Sequence, residues 1–146
     1  MKMNFLLLKS SVIKNPLSIA FLALFMVVSQ QALMAQCPND NASFGSSVPI
    51  CDVPEYELQG GIWGGEYHVV TVTAGNDYTF STCGNSAFDT QLTLYPNDGS
   101  STVLAYNDDF CGLQSRVSWT ATFSGTVRVS VDEFFCASNF TSTSIY

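Results

Sequence analysis

The second half of the chain alternates apolar and polar residues with a period of two, and this alternation restricts the fold more than any other feature. Between Phe88 and Tyr95, for example, Phe88, Leu92 and Leu94 fall on one side of an extended chain. A period of two is typical of a β-strand that buries one face. We find no stretch with the spacing of an amphipathic helix, so we expect an all-β protein.

The alternation predicts seven short strands separated by turn-forming residues. They cover residues 66–74, 78–82, 88–95, 102–106, 116–123, 126–131 and 140–146. Seven strands at this spacing predict an antiparallel two-sheet β-sandwich, jelly-roll-like and stapled by disulfides, over residues 66–146. We expect these side chains to face its core: Val117, Trp119, Ala121, Phe123, Val127, Val129 and Val131.

The first 35 residues have the order of a secretory signal peptide: a basic start, the apolar run Leu17–Val28 and small residues up to Ala35. The apolar run is 12 residues long, shorter than the ~20 that span a bilayer. We therefore expect cleavage after Ala35, secretion, and no membrane attachment afterwards. Residues 36–65 are rich in proline, glycine and asparagine, and we expect an irregular N-terminal cap there.

Residues 36–146 are strongly acidic. They keep two arginines, Arg116 and Arg128, against all twelve acidic residues of the chain, which gives a formal charge of −10. Such a surface repels nucleic acids and anionic membranes, so we expect neither as a partner. It attracts divalent cations.

Five cysteines lie in this exported part: Cys37, Cys51, Cys83, Cys111 and Cys136. In a secreted chain they predict a disulfide framework with one thiol left over. A zinc site is the rival interpretation, but the chain has no CxxC pair and only one histidine. The sequence leaves the pairing open, with a preference for Cys83 with Cys111.

The acidic residues with the best functional prospects flank the hairpin predicted around Asp98 and Gly99. A turn centred there places Asp89 opposite Asp108, and a slip of one residue only exchanges Asp108 for Asn107 or Asp109. If successive strands reverse direction, these residues also share one end of the sandwich with Cys83, Cys111 and Cys136. Like charges across a strand pair are destabilising unless solvent screens them or a cation binds between them.

Two interpretations of this acidic end are open. Calcium takes six to eight oxygen ligands, and Asp89, Asn107, Asp108 and Asp109 with loop carbonyls could supply them. Alternatively, the same side chains cap turns by accepting hydrogen bonds from backbone amides.

Aromatic residues offer a second candidate site. Trp63, Tyr56 and Tyr67 lie near glycines and could stack on a sugar, or they could cover a sheet edge. His68 is the one histidine, and no motif sets a nucleophile beside it, so we expect no catalysis.

Three motifs add a resemblance to a known family. The stretches FSTCGNSAFDTQLTLY, LAYNDDFCGLQSRVSW and FSGTVRVSVDEF resemble β-sandwich domains of secreted Bacteroidetes proteins, similar to the bacterial pre-peptidase C-terminal domain family. In that family a DTxLxLY strand, an NDD loop and a G(T)(Y/V)xV strand recur in this order. The resemblance covers residues 66–146 and implies a non-catalytic domain that accompanies exported proteases or adhesins. It also implies an acidic end at Asp89 and Asn107–Asp109, with calcium bound in some relatives.

The sequence thus predicts a secreted accessory or binding module, with calcium as the candidate cofactor and a protein or glycan at the cell exterior as partner. A carbohydrate-binding module using Trp63 and the nearby tyrosines is the alternative function. A small hydrolase using His68 with an acid ranks third.

Overall fold

The computed structural model describes residues 36–50 and 56–146. The predicted signal peptide, residues 1–35, and Cys51 lie outside the described residues. Nine strands form the described part: β1 Ala42–Ser47, β2 Gln59–Trp63, β3 Glu66–Val72, β4 Asp77–Ser81, β5 Thr90–Pro96, β6 Ala105–Asn107, β7 Arg116–Thr120, β8 Gly125–Glu133 and β9 Ser142–Ile145. Within these ranges no helix is long and apolar enough to cross a membrane.

The strands form one five-stranded sheet and two ribbons. The sheet has the order β1-β3-β8-β5-β6, and the ribbons pair β2 with β9 and β4 with β7. Every pairing is antiparallel except that of the edge strand β1 with β3. The all-β prediction is therefore confirmed, and the seven predicted strands are present with ends shifted by a few residues.

One apolar core joins all three sheets. In β8, the side chains of Val127, Val129 and Val131 are fully buried, as the alternation predicted. The ribbons add buried side chains to the same cluster, including those of Phe80 and Ile145. Of the other expected core residues, Val117 and Ala121 are buried, whereas Trp119 and Phe123 are partly buried and pack against the cluster.

The expectation of an irregular segment at residues 36–65 is wrong, because this segment contributes β1 and β2. Neither strand has a period-two pattern. The sequence of β1 is ASFGSS, and its pairing with β3 shifts register between Ser43 and Gly45. Pairing with the neighbouring strand β3 overrides weak strand propensity here, which single-sequence patterns do not detect.

The predicted hairpin register is also wrong. Leu92 pairs with Asn107 and Leu94 with Ala105, two residues away from the expected register. The link between β5 and β6 is longer than a tight turn because Asp98 starts a local turn, in which its carboxylate accepts a hydrogen bond from the amide of Ser100 at 2.8 Å. Since β6 has only three residues, its pairing with β5 ends before Asp89 is reached.

Two disulfides staple the fold. Cys83 pairs with Cys111, as preferred from the sequence, and Cys37 pairs with Cys136, with Cα–Cα distances of 6.0 and 5.1 Å. The second bond anchors an N-terminal strap, defined as residues 37–41, to the chain after β8. The strap crosses the face of the five-stranded sheet opposite the core, where the Tyr95 hydroxyl donates to the carbonyl of Cys37.

The strap covers a buried polar surface. Beneath it lie the side chains of Gln91, Thr93, Tyr95, Ser130 and Asp132, each at most 3 % exposed. Burial raises the pKa of the Asp132 carboxyl to about 7, and the nearby charge of Asp40 adds to this increase. The strap therefore keeps water from a carboxyl group that binds its proton unusually tightly.

Removing the Cys37–Cys136 disulfide should destabilise the protein more than removing Cys83–Cys111. The two bonds close loops with sequence separations of 99 and 28 residues, and a longer loop restricts the unfolded chain more. We expect losses in the range of about 2–4 kcal/mol for paired Cys→Ser variants, with Cys37→Ser/Cys136→Ser worse by about 1 kcal/mol. Urea unfolding at equilibrium measures both, and the reverse order would contradict the prediction.

Asp132→Asn should change how stability depends on pH. The pKa of Asp132 rises from an ordinary 3.8 to about 7 on folding, so the folded state holds the proton more tightly than the unfolded state. The contribution of the protonated Asp132 carboxyl to the free energy of unfolding is complete below pH ~4 and is lost as pH rises towards ~7. Asp132→Asn should therefore match the wild type near pH 4 and exceed its melting temperature at pH 7–8. A difference between the two proteins that is constant with pH would contradict this assignment.

Candidate functional site

Four links between strands meet at one end of the molecule, which we call the loop end: residues 64–65, 82–89, 108–115 and 134–141. Backbone hydrogen bonds connect them. Asn139 donates to the carbonyl of Gly64, and Phe134 donates to that of Asp89, both at 3.0 Å. Thr82 donates to the carbonyl of Ser115, also at 3.0 Å. The predicted gathering of the acidic residues with Cys83, Cys111 and Cys136 at one end is therefore confirmed.

Ser115 organises this end. Its side chain is fully buried, and its amide donates to the hydroxyl oxygens of Thr82 and Thr90 at 3.1 Å. Its own hydroxyl lies within hydrogen-bonding reach of the carbonyl oxygens of Thr90 and Asp108. One residue thus joins three segments: its hydroxyl reaches the start of β5 and the loop after β6, and its backbone bonds to the end of β4. Sequence reasoning missed Ser115, because a single serine in a polar loop carries no local signal.

Three aspartates converge at the loop end, and we call them the carboxylate triad: Asp89, Asp108 and Asp109. One carboxylate oxygen from each lies within 4.8 Å of the others. Asp89 and Asp108 are half-buried, and Asp109 is exposed. The predicted grouping is thus present, although loops produce it rather than direct strand pairing.

The carboxylate triad is electrostatically unfavourable by itself. Burial raises the pKa of Asp89, and the negative charges of Asp109, Asp108 and Glu133 raise it further. One oxygen of Asp89 and one of Asp108 are buried without a hydrogen-bond partner. A buried acceptor with no donor costs about 1–3 kcal/mol, and more when it is charged. The arrangement is therefore one that a cation would stabilise.

The spacing of the carboxylate triad suits calcium. Calcium–oxygen distances are about 2.3–2.6 Å, so two ligand oxygens on opposite sides of the ion lie about 4.6–5.2 Å apart. The triad oxygens, within 4.8 Å of one another, match such a shell. Three carboxylates offer up to six oxygens, and calcium takes six to eight.

Asn107 makes a different contact from its three neighbours. Its side-chain oxygen accepts a hydrogen bond from the backbone amide of Arg116 at 3.0 Å. This contact ties the end of β6 to the start of β7. It matches the turn-capping alternative considered from the sequence, and it positions the loop that carries Asp108 and Asp109.

The three aromatic residues of the second candidate site make separate contacts. Trp63 is 38 % exposed, and its ring meets that of Phe140 edge-to-face, with centroids 5.4 Å apart. Tyr67 instead lies beneath the guanidinium group of Arg128, 4.6 Å from its ring centre. The Tyr56 hydroxyl accepts a hydrogen bond from the amide of Ile50 at 2.7 Å. The aromatic partner of Trp63 is thus Phe140, which the sequence did not indicate.

His68 is a buried structural residue. It is 1 % exposed, and its Nε2 lies 2.9 Å from the hydroxyl of Ser47 in β1. Burial lowers its pKa, so the ring is neutral at physiological pH. Its contact helps to attach β1 to β3, and its burial keeps it from any substrate in solution.

Ser115→Ala should destabilise the protein by about 1–3 kcal/mol, because it removes a buried hydroxyl that reaches the carbonyl oxygens of Thr90 and Asp108. Ser118→Ala is the matched control. Ser118 is exposed, and its hydroxyl meets only that of Thr79 at 2.9 Å. We expect a change within about 0.5 kcal/mol for the control in urea unfolding. Equal effects of the two substitutions would show that Ser115 does not hold the loop end together.

Comparison with known proteins identifies a family without a known role. A family model described as a domain of unknown function, DUF8695, matches residues 59–145. The matched range runs from β2 to β9, contains the carboxylate triad and excludes the N-terminal strap and β1. No curated protein and no solved structure matches the chain significantly. Because the match covers more than half of the sequence, the chain belongs to the DUF8695 family.

Proposed function

We propose that this protein is a secreted, non-catalytic accessory or binding module, and that calcium at the carboxylate triad stabilises its loop end. The observation that carries the proposal is the triad itself. Three carboxylate oxygens lie within 4.8 Å of one another, and Asp89 and Asp108 each keep a buried oxygen without a hydrogen-bond partner. Protein groups alone leave this charge uncompensated at Asp89, as its raised pKa indicates.

The proposal includes a jelly-roll sandwich as the fold. Supporting it, the two ribbons are joined by reciprocal backbone hydrogen bonds between Ser81 and Tyr146, at 2.9 and 3.0 Å. These bonds continue the ribbons into a layer with the order β2-β9-β4-β7. The other layer contains β3-β8-β5-β6, with β1 added at its edge. Two four-stranded layers interleaved in this way have the connectivity of a jelly roll.

Export is proposed from two features of the chain, and the proposed calcium site is consistent with it. Disulfides persist in oxidising compartments, and two join described segments of this chain. The N-terminal 35 residues have the order of a cleaved signal peptide. Calcium is also abundant outside cells, where extracellular modules bind it at about 0.1–1 mM.

The accessory role rests on the resemblance to pre-peptidase C-terminal domains, which accompany exported proteases and adhesins. The motif residues of that resemblance, Asp89 and Asn107–Asp109, lie at the loop end. Sugar binding is the alternative, and the exposed ring of Trp63 supports it. It has less support than calcium because Tyr67 and Tyr56 are engaged with Arg128 and Ile50.

Thermal unfolding of residues 36–146, with disulfides intact, tests the proposal. A ligand that binds only the folded state at a hundredfold excess over its Kd stabilises by about 2.7 kcal/mol. For a domain of this size we expect calcium to raise the melting temperature by several degrees over EDTA. In Asp89→Asn and Asp109→Asn this increase should disappear. In EDTA, both variants should be at least as stable as the wild type, because each removes one of three mutually repelling charges.

Asp98→Asn provides the matched control. Asp98 is an exposed turn aspartate in the link between β5 and β6, away from the loop end, and its variant should keep the calcium-induced increase. The absence of any increase in the wild type at millimolar calcium would rule out the site. An increase that persists in Asp89→Asn would place the ion elsewhere.

A further inference from the structure

Exposed apolar side chains are concentrated at the loop end. Of the nine large apolar side chains exposed in the described residues, six lie at or beside its four links: Trp63, Phe110, Leu113, Phe134, Phe135 and Phe140. We call these six the apolar rim. The other three, Phe44, Val48 and Ile50, lie in β1 or directly after it. Because β1 runs parallel to β3 and Ser47 pairs with Val70, Val48 and Ile50 lie at the opposite end, whose other links, residues 73–76, 97–104 and 121–124, contain none of the nine.

Part of the apolar rim adjoins the carboxylate triad. Phe110 directly follows Asp109 in the chain, and the amide of Phe134 is hydrogen-bonded to the carbonyl of Asp89. Phe135 and Phe140 are 83 % and 88 % exposed, so their rings contribute almost nothing to the core. Single exposed apolar residues are common on protein surfaces, but a group of six on neighbouring loops indicates an interaction surface.

The turn that presents Phe135 is strained and rigidly held. Phe135 and Cys136 have φ angles of 63° and 57°, in the left-handed region that residues with bulky side chains rarely adopt. Reciprocal hydrogen bonds between Glu133 and Ala137, at 2.9 and 3.0 Å, close the turn. The disulfide to Cys37 and a hydrogen bond from the Cys136 amide to Gln91, at 3.0 Å, fix it to the sheet. Strain of this kind is found where a fixed presentation is used for binding.

The net charge of the loop end limits which partners can bind there. The loop end combines four carboxylates, those of the triad and Glu133, with the guanidinium of Arg116, which lies 4.9 Å from the ring centre of Phe110. Even with a bound divalent ion, these charges sum to a negative value. An anionic lipid surface would be repelled, and a second copy docked through the same end would oppose like charges. A cationic and apolar partner is complementary both to the negative charge and to the apolar rim.

We propose that the loop end is a docking surface for a basic, apolar segment of another extracellular protein: a lysine or arginine for the acidic centre, with aliphatic or aromatic neighbours for the apolar rim. The proposal goes beyond calcium binding and does not require it, because the charge of the loop end is negative with or without a bound divalent ion. The rigid turn at Phe135 means that little conformational entropy is lost on docking.

A random peptide library displayed on phage, selected against residues 36–146, tests this proposal. We expect the selected peptides to combine lysine or arginine with apolar side chains. Their synthetic forms should bind in solution, as measured by fluorescence anisotropy, and bind less tightly at high salt. Phe135→Ser/Phe140→Ser should weaken binding at least about tenfold, and Asp109→Asn should weaken it as well. Val48→Ser/Ile50→Ser, which removes exposed apolar side chains at the opposite end, should leave affinity unchanged.

Several results would overturn the docking proposal. The first is that the library yields no peptide that is both basic and apolar. The second is that Phe135→Ser/Phe140→Ser does not change peptide affinity. The third is that the control Val48→Ser/Ile50→Ser weakens affinity by the same factor. Sedimentation with vesicles containing phosphatidylserine, or self-association that depends on the rim, would instead identify a membrane or a second copy as the occupant. Each assay is run in EDTA and in calcium. Since the melting experiment measures calcium binding directly, failure of the calcium site and failure of docking are distinguishable.

Discussion

The position of β8 between β3 and β5 is the constraint on which the rest of the structure depends. Its register places Val127, Val129 and Val131 in the core and the polar residues between them under the N-terminal strap. The same register pairs Thr90 with Glu133. Asp89 and Phe134, one residue beyond this pair, therefore meet at the loop end, where the carboxylate triad and the apolar rim both begin. A slip of one residue would turn the core residues of β8 towards the N-terminal strap, and it would separate the residues of the carboxylate triad and the apolar rim.

Both disulfides lie in loops that carry energetically unfavourable features, either repelling charges or a strained backbone. One joins the two loops that carry the carboxylate triad, and the other fixes the left-handed turn at Phe135 and Cys136. Like charges and a strained backbone would each favour local opening of the loops. Covalent links oppose that opening, and Ser115 adds a buried hydrogen-bonded contact between them. These covalent and hydrogen-bonded contacts hold the loops of the loop end together in spite of their composition.

Local sequence patterns predicted the strands well but failed where contacts with other segments of the chain determine the structure. The alternation in residues 88–95 located β5, and the reversal of successive strands correctly grouped Asp89 with Asp108 and Asp109. β1 was missed because pairing with β3, not its own sequence, makes it a strand. The predicted register failed because the turn at Asp98 begins a longer link. Ser115 and the apolar rim could not be anticipated, since exposure and buried contacts appear only once distant loops meet.

Direct titration of calcium into residues 36–146 by isothermal titration calorimetry, with disulfides intact, tests the central claim that the carboxylate triad is a cation site. We predict one ion bound per chain in the wild type and none in Asp89→Asn, with both proteins folded. Absence of binding by the folded wild type at millimolar calcium would contradict the account. So would unchanged stoichiometry and affinity in Asp89→Asn.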